Sequence, residues 1–517
     1  MSLSRVVSLL QRAVVAIFQT SVHAAEMGTT FVAPKDLDIN DPGSIRSVAS
    51  TIAYGTMSYY TGNITNTPDT IAVFPKPHYW WQAGACWGAM LDYSHYTGDG
   101  SYDDVITQAL LSQVGPSFDF MSPRYASSEG NDDQAFWAFS ILEATERNFP
   151  QPDDSIPPWL QIAENIWNTM ALRWDDTTCD GGLHWQIYPG NPNGLDYKNA
   201  VSNGAFFQIS ARLARATGNY TYLQWSEKIW DWSQNIGFID QDFHVFDGAS
   251  SSQGCHNTNP VSFSYSQGIY MYGAAVLFNY TNGNETWGDR TNGLLQASQS
   301  YFSPFENSTN IMYEPACELP DTCNPDMKSF KGYLSRFMAA TTLMMPSTLD
   351  NVRELLRVSA VAAGKACSGG DTGTACGEKW YVGGYDGNPG LGQSMTALET
   401  VQALLAFDAQ PPFKHGEIKH VKDKDGGTTS TTLSLSTTPR SSTIIPSSTK
   451  LPSSTTLPSS TTRPPPTTLP PSTTVPQSTT HLRLITQEPN HAYTITASSI
   501  AAFVVFMVSV LIFGAIS

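Results

Sequence analysis

Charge is scarce in this chain. Only 14% of its 517 residues are Asp, Glu, Lys or Arg, where typical soluble domains carry about 25%. Positive charge is scarcest: 28 Lys and Arg face 45 Asp and Glu, for a formal net charge of −17. A chain this acidic is a poor partner for nucleic-acid phosphates, so none is expected. Histidines do not accompany the cysteines at ligand spacing, so no zinc pattern is present. No Gly-rich phosphate motif stands after a strand, and His184 and His244 have no Ser or Cys partner arrangement. No metal or organic cofactor is implied.

What the chain does have is apolar bulk. Hydrophobic residues make up 41% and aromatic residues 11%, enough for a sizeable core and too much for a wholly disordered chain. Both ends read differently. Residues 1–24 carry Arg5, an apolar run from Ala13 to Phe18 and small residues up to Ala24, as a signal peptide does; the alternative is an uncleaved anchor. Residues 427–480 are almost entirely Ser, Thr and Pro and read as an O-glycosylated stalk. Residues 491–517 end in an apolar tail from Ile500 to Ile516, preceded by a polar spacer with Asn490, His491 and Ala492. That is the pattern of a removed GPI-anchor signal, with a plain tail anchor as the alternative. Sequons at Asn63, Asn219, Asn279, Asn284 and Asn307 fit secretion. In that setting disulfides are expected: Cys317 with Cys323, Cys367 with Cys376, and Cys179 with Cys255 across loops, leaving Cys86 as a buried thiol.

Between residues 30 and 412 the pattern is helical. Trp159, Ile162, Ile166 and Met170 recur at helical spacing, as do Tyr222, Trp225, Ile229 and Trp232; each set gives one apolar stripe with a polar back. Other segments, such as 135–142 and 273–278, are apolar or small nearly all round, as buried helices are. The two kinds alternate. Amphipathic helices are predicted near 44–61, 101–113, 157–173, 219–235, 284–302 and 348–366. Buried helices are predicted near 80–96, 131–147, 200–217, 262–280, 327–344 and 390–408. A weakly repeated turn joins them: residues 96–102, 216–222 and 280–287 mix Tyr or Ala, Thr, Gly and Asn. Repeated helical hairpins suggest an all-α toroid, an (α/α)6 barrel of six inner helices ringed by six outer ones. An irregular helical bundle is the alternative.

Inner helices of such a toroid gather their N-termini at one end. Those segments carry amides, hydroxyls and aromatics, suited to a carbohydrate with polar edges and apolar faces. One of them opens with adjacent acids, Asp132 and Asp133, before Ala135-Phe136-Trp137. Glycosidases need two carboxyl groups, one ionised and one protonated, and close spacing points to retention. The helix N-terminus favours one carboxylate, whose charge raises the pKa of the other. An acidic cap of an ordinary helix is the plainer account of the pair. Asp103-Asp104, Asp153-Asp154 and Asp175-Asp176 read as first-turn or loop acids.

The segments Gly130-Asn131-Asp132-Asp133-Gln134, Gly182-Leu183-His184-Trp185-Gln186, Asp196 to Gly204, and Cys323 to Asp326 with Ser329-Phe330-Lys331 resemble glycoside hydrolase family 76. More narrowly, the chain looks like the fungal GPI-anchored mannan endo-1,6-α-mannosidases of that family. The resemblance spans about 30–410. It implies an (α/α)6 catalytic domain and a retaining α-mannosidase, with Asp132 as nucleophile and Asp133 as general acid and base. Trp81, Asn131, Gln134, Asn203, Tyr265, Gln267, Arg336 and Gln393 are candidate sugar contacts. It further implies an α-mannan or GPI-core glycan substrate, a β-glucan acceptor if the outcome is transfer, and a secreted protein held at the outer face of the plasma membrane and wall by a GPI anchor. Ser266 and Ala205 depart from the family pattern. A non-catalytic wall glycoprotein or lectin-like adhesin on the same toroid is the competing class.

Overall fold

The computed structural model describes residues 32–189 and 194–419. The signal-peptide, stalk and anchor-signal segments lie outside the described residues. Twelve helices of eleven to eighteen residues dominate: α1 (Pro42–Met57), α2 (Trp80–Thr97), α3 (Asp103–Gln113), α4 (Asn131–Glu146), α5 (Trp159–Leu172), α6 (Ala200–Thr217), α7 (Tyr220–Asn235), α8 (Ser264–Tyr280), α9 (Glu285–Ala297), α10 (Phe330–Met344), α11 (Leu349–Ala366) and α12 (Leu391–Ala406). Each matches a predicted helix, with ends moved by a few residues. The largest changes are at 58–61 and 298–302. The second of these tightens into a 3-10 turn, Ser298–Tyr301, and so does Met327–Ser329 ahead of α10.

Even-numbered helices form a closed inner ring. Each packs on the next, and α12 returns to α2. Odd-numbered helices lie outside: α5 on α4, α7 on α6, α9 on α8, and α11 and α1 on α12. This is the expected toroid. Its physical basis is the difference in helix faces. In α4 every residue from Gln134 to Glu146 is buried, and in α10 every residue is. In α5 only one stripe is, Trp159, Ile162, Ile166 and Met170 with their neighbours. On α7 the buried stripe is Tyr222, Ile229 and Trp232 with their neighbours, and the exposed Lys228 lays its ammonium 4.5 Å from the Trp174 ring and 4.7 Å from Trp225.

The repeated turn does the same work twice. Gly98 and Gly218 adopt φ of +76° and +71° and end α2 and α6 in the left-handed region. Just before them, Thr97 and Thr217 donate back to Tyr93 and Leu213 and accept from the backbone N–H of Asp99 and Asn219. Asn219 then caps α7, and Asn284 caps α9 at the third copy. The sequon asparagines 63, 219, 284 and 307 are exposed. Asn279 is not free for a glycan: its amide donates to the Met344 carbonyl and accepts from Arg215.

Cys179–Cys255, Cys317–Cys323 and Cys367–Cys376 are disulfides, and Cys86 is a buried free thiol. Toward the C-terminal ends of the inner helices the ring is filled by basic and acidic side chains. Arg336 holds Asp92 at 2.8 Å and lies 3.6 Å from Glu399, Arg212 holds Glu146 at 2.7 Å, and Arg147 lies 3.6 Å from Glu143. All are buried.

Candidate active site

The N-terminal ends of the inner helices surround a cleft of about 570 Å³. Asp132 and Asp133 stand in it, in the first turn of α4, preceded by Gly130. A β-carbon on Gly130 would fall 2.5 Å from an Asp132 oxygen and 3.0 Å from the Trp185 carbonyl. Only glycine lets the chain pass this close.

Inter-helix loops supply the rest of the wall. Asn131 N–H donates to the Trp185 carbonyl and Trp185 N–H to the Tyr197 carbonyl, at 2.8 and 2.7 Å. Tyr197–Asn199 pairs antiparallel with Gly248–Ser250, a small ribbon absent from the sequence reading. Trp185, Tyr197, Asn199 and Asp247 therefore arrive beside the aspartates. Tyr197 Oη donates to Asp247 at 2.7 Å. Aromatic rings line the cleft: Tyr265 stacks on Phe330 at 3.9 Å, and Trp81 packs on Phe136 at 4.6 Å. The Trp81 indole donates to Asp326 at 3.1 Å.

The two aspartates are electrostatically unequal. Burial raises the pKa of Asp132 to about 7, and the Asp133 N–H, at 3.0 Å, with the Asn199 and Trp185 side chains, opposes part of that rise by hydrogen-bonding its carboxylate. Burial, Asp132, Glu129 and Asp326 all push Asp133 up, well above the ordinary range, and a 2.6 Å bond from Gly130 N–H opposes them only partly. Asp132 is the group that ionises first, and Asp133 retains its proton. Burial also carries Asp326 to about 6 and Glu129 to about 8. Both Glu129 oxygens are buried without a hydrogen-bond partner among the described residues. Among the described residues, five carboxyl groups line the cleft and no Lys or Arg does.

Of the ten site residues expected from sequence, Asp132, Asp133, Trp81 and Tyr265 line the cleft. The other six are buried and turned toward protein partners. Asn131 donates to the His184 carbonyl and accepts from Arg173. Gln134 donates to the Asp119 carbonyl. Asn203 bonds both the N–H and the carbonyl of Leu183. Gln267 does the same for Val245 N–H and the Phe243 carbonyl. Gln393 donates to the Asn388 carbonyl. Arg336 belongs to the ion cluster deeper in the ring. Asp175 is a loop organiser, held by Lys198, Thr177, Thr178 and His184. Trp185, Tyr197 and Asn199 fall inside segments that carried the family likeness. Asp247 and Glu129 had no sequence signal.

Residues 44–416 match Glycosyl hydrolase family 76. The mannan endo-1,6-α-mannosidase DCW1 of Candida glabrata is 44% identical over 380 residues, 73% of this chain and 83% of that protein. Its Saccharomyces cerevisiae counterpart is 43% identical over 387 residues, 74% and 84%. Among solved structures, Dfg5 from Chaetomium thermophilum in complex with glucosamine is 39% identical, with a TM-score of 0.70 over 74% of this chain and 95% of that one. An α-1,6-mannanase of Salegentibacter, 18% identical with a TM-score of 0.55 over 70% of this chain and 100% of that one, shares the fold.

Proposed function

Because this chain belongs to glycosyl hydrolase family 76, we propose that it cleaves α-1,6-mannosidic bonds with Asp132 as nucleophile and Asp133 as general acid and base. It is a retaining glycoside hydrolase of the mannan endo-1,6-α-mannosidase type, acting on α-mannosides. The observation that carries the assignment of roles is the unequal pair at the cleft floor. Asp132 carboxylate attacks the anomeric carbon as Asp133 gives its proton to the departing glycosidic oxygen. A mannosyl ester forms on Asp132 and Asp133 is left ionised. Asp133 then takes a proton from water, or from an acceptor hydroxyl, whose oxygen displaces Asp132. The rings of Trp81, Tyr265 and Phe330 offer faces for sugars to stack on.

A GPI-core glycan as donor and β-glucan as acceptor extend this reading to attachment of GPI-linked mannoproteins to the fungal wall. Carboxyl oxygens lining the cleft, with no Lys or Arg beside them among the described residues, offer acceptors for the free amine of a glucosamine-bearing glycan. Secretion and anchoring at the cell surface are part of the same proposal, supported by three disulfides, which need an oxidising compartment.

The test incubates the purified protein with α-1,6-manno-oligosaccharides and a GPI-core glycan, with and without β-glucan, beside Asp132→Asn and Asp133→Asn. Wild type is expected to cleave or transfer. Asp133→Asn should lose about 100- to 10,000-fold in rate, and Asp132→Asn should accumulate no mannosyl-enzyme. Substrates left intact by wild type, or unaffected rates in both variants, overturn the assignment.

A further inference from the structure

A second cavity, about 600 Å³, opens where α2 and α12 end and α1 and α11 begin. The catalytic cleft is at the other end of the ring, roughly 25 Å away by the length of an inner helix. The two differ in sign. Arg46, Arg353 and Arg357 line the second cavity, and Asp408 is its one carboxylate. His95 is there too, but burial and the Arg147 guanidinium hold its pKa down to about 4, so it is neutral. This is a local excess of positive charge in a chain of net charge −17.

Two of the three guanidiniums are poorly satisfied. Arg46, only part-exposed, has no hydrogen bond or ion pair among the described residues. Arg353 reaches Asp350 only at 3.9 Å, and that carboxylate is almost fully exposed; its other face lies over Phe407. Arg357 donates to the Ile39 carbonyl at 3.1 Å and to the Asn40 side chain, which fixes its plane. Three guanidiniums on one cavity exceed what a single carboxylate needs, and they suit an oxyanion with several oxygens in different directions.

We propose that this cavity binds the phosphate of a phosphomonoester or phosphodiester, with Arg46, Arg353 and Arg357 on the oxygens and the organic part against Phe407 and Leu404. The phosphate can come from a soluble sugar phosphate or from a lipid headgroup.

The test titrates the full chain with mannose 6-phosphate by calorimetry and, separately, cosediments it with phosphatidylcholine vesicles with and without phosphatidylinositol. Arg46→Gln, Arg353→Gln and the double variant run alongside, with α-1,6-mannan cleavage and a thermal melt as controls. Arg46 has no partner to lose, so its variant should fold and cleave as wild type does. Saturable binding to either probe, weakened about tenfold or more in the double variant, is the expected result. Retention in the ester titration alone makes the source soluble, and retention on phosphatidylinositol vesicles makes it a headgroup. Absence of saturable binding to both probes, or binding that the double variant keeps, overturns the proposal.

Discussion

Asp132 and Asp133 are neighbours in sequence, and the difference between an ionised Asp132 and a protonated Asp133 rests on a few hydrogen bonds. The donors on Asp132 are the Asp133 N–H, the Asn199 amide and the Trp185 indole. Asn199 has a second task, accepting from Ser202 N–H at 3.2 Å as the cap of α6. Asn199→Ser separates the two, because Ser is as good a cap as Asn but brings no amide to the carboxylate. The ionised form of Asp132 then loses a donor, so its pKa rises. A nucleophile must be ionised, so the acid limb of the kcat/KM profile is expected to move to higher pH while the melting temperature changes little. Unchanged pH dependence would show that Asn199 acts only as a cap. Trp185→Phe provides a second donor loss on the same limb without touching the cap.

At the scale of elements, the toroid depends on loops that its inner helices hold in place. Backbone groups in buried loops need partners, and side chains in a first helical turn lean back toward the N-terminus. Gln134, Asn203, Gln267 and Gln393 combine these two facts: each sits early in an inner helix and bonds a loop backbone. Asn203→Ala removes both bonds to Leu183. Stability is expected to fall by about 1–3 kcal/mol per group left unpaired, and cleavage with it, because Leu183 leads directly to Trp185 beside Asp132. Denaturant unfolding and initial rates on mannan oligosaccharides measure the two losses; a stable variant with full activity would remove the loop-holding role. These amides also show where sequence reading stopped. Helix periodicity is a property of local spacing, so all twelve helices were legible, as were the turns capped by Gly98 and Gly218. The polar N-termini were legible as a set, but whether an amide faces sugar or loop depends on which loop folds over it. Asp132 and Asp133 needed no such knowledge. Glu129 and Asp247 enter the cleft through a bridge and a two-stranded ribbon, contacts between segments far apart in the chain.

Across the whole molecule, buried carboxyl groups set the response to pH. Burial raises Glu129, Glu314 and Glu399 to about 8. An acid whose pKa is higher folded than unfolded keeps its proton in the native state after the unfolded chain has released it. Stability therefore falls as pH rises from about 4.5, the unfolded value, to about 8, by up to about 1.4 kcal/mol per pH unit for each group. His78 and His95 work in the opposite sense, because burial lowers both; the stability they contribute above pH 6.5 is lost as pH falls below it. Asp175, lowered by its hydroxyl and Lys198 bonds despite some burial, loses its contribution only below about 4. Between about 6.5 and 8 the histidines no longer change, and the glutamates act alone among these groups. The melting temperature is expected to drop across that window. Glu314 lies outside the cleft, bonded by Ser264, so Glu314→Gln copies its protonated shape without its proton. That variant should melt with a shallower slope over this window than wild type, while cleaving mannan normally. A wild-type melting temperature that rises from pH 6.5 to 8, or a variant slope as steep as the parent's, would mean that Glu314 is ionised in the folded protein and that Ser264 and the surrounding dipoles compensate its charge.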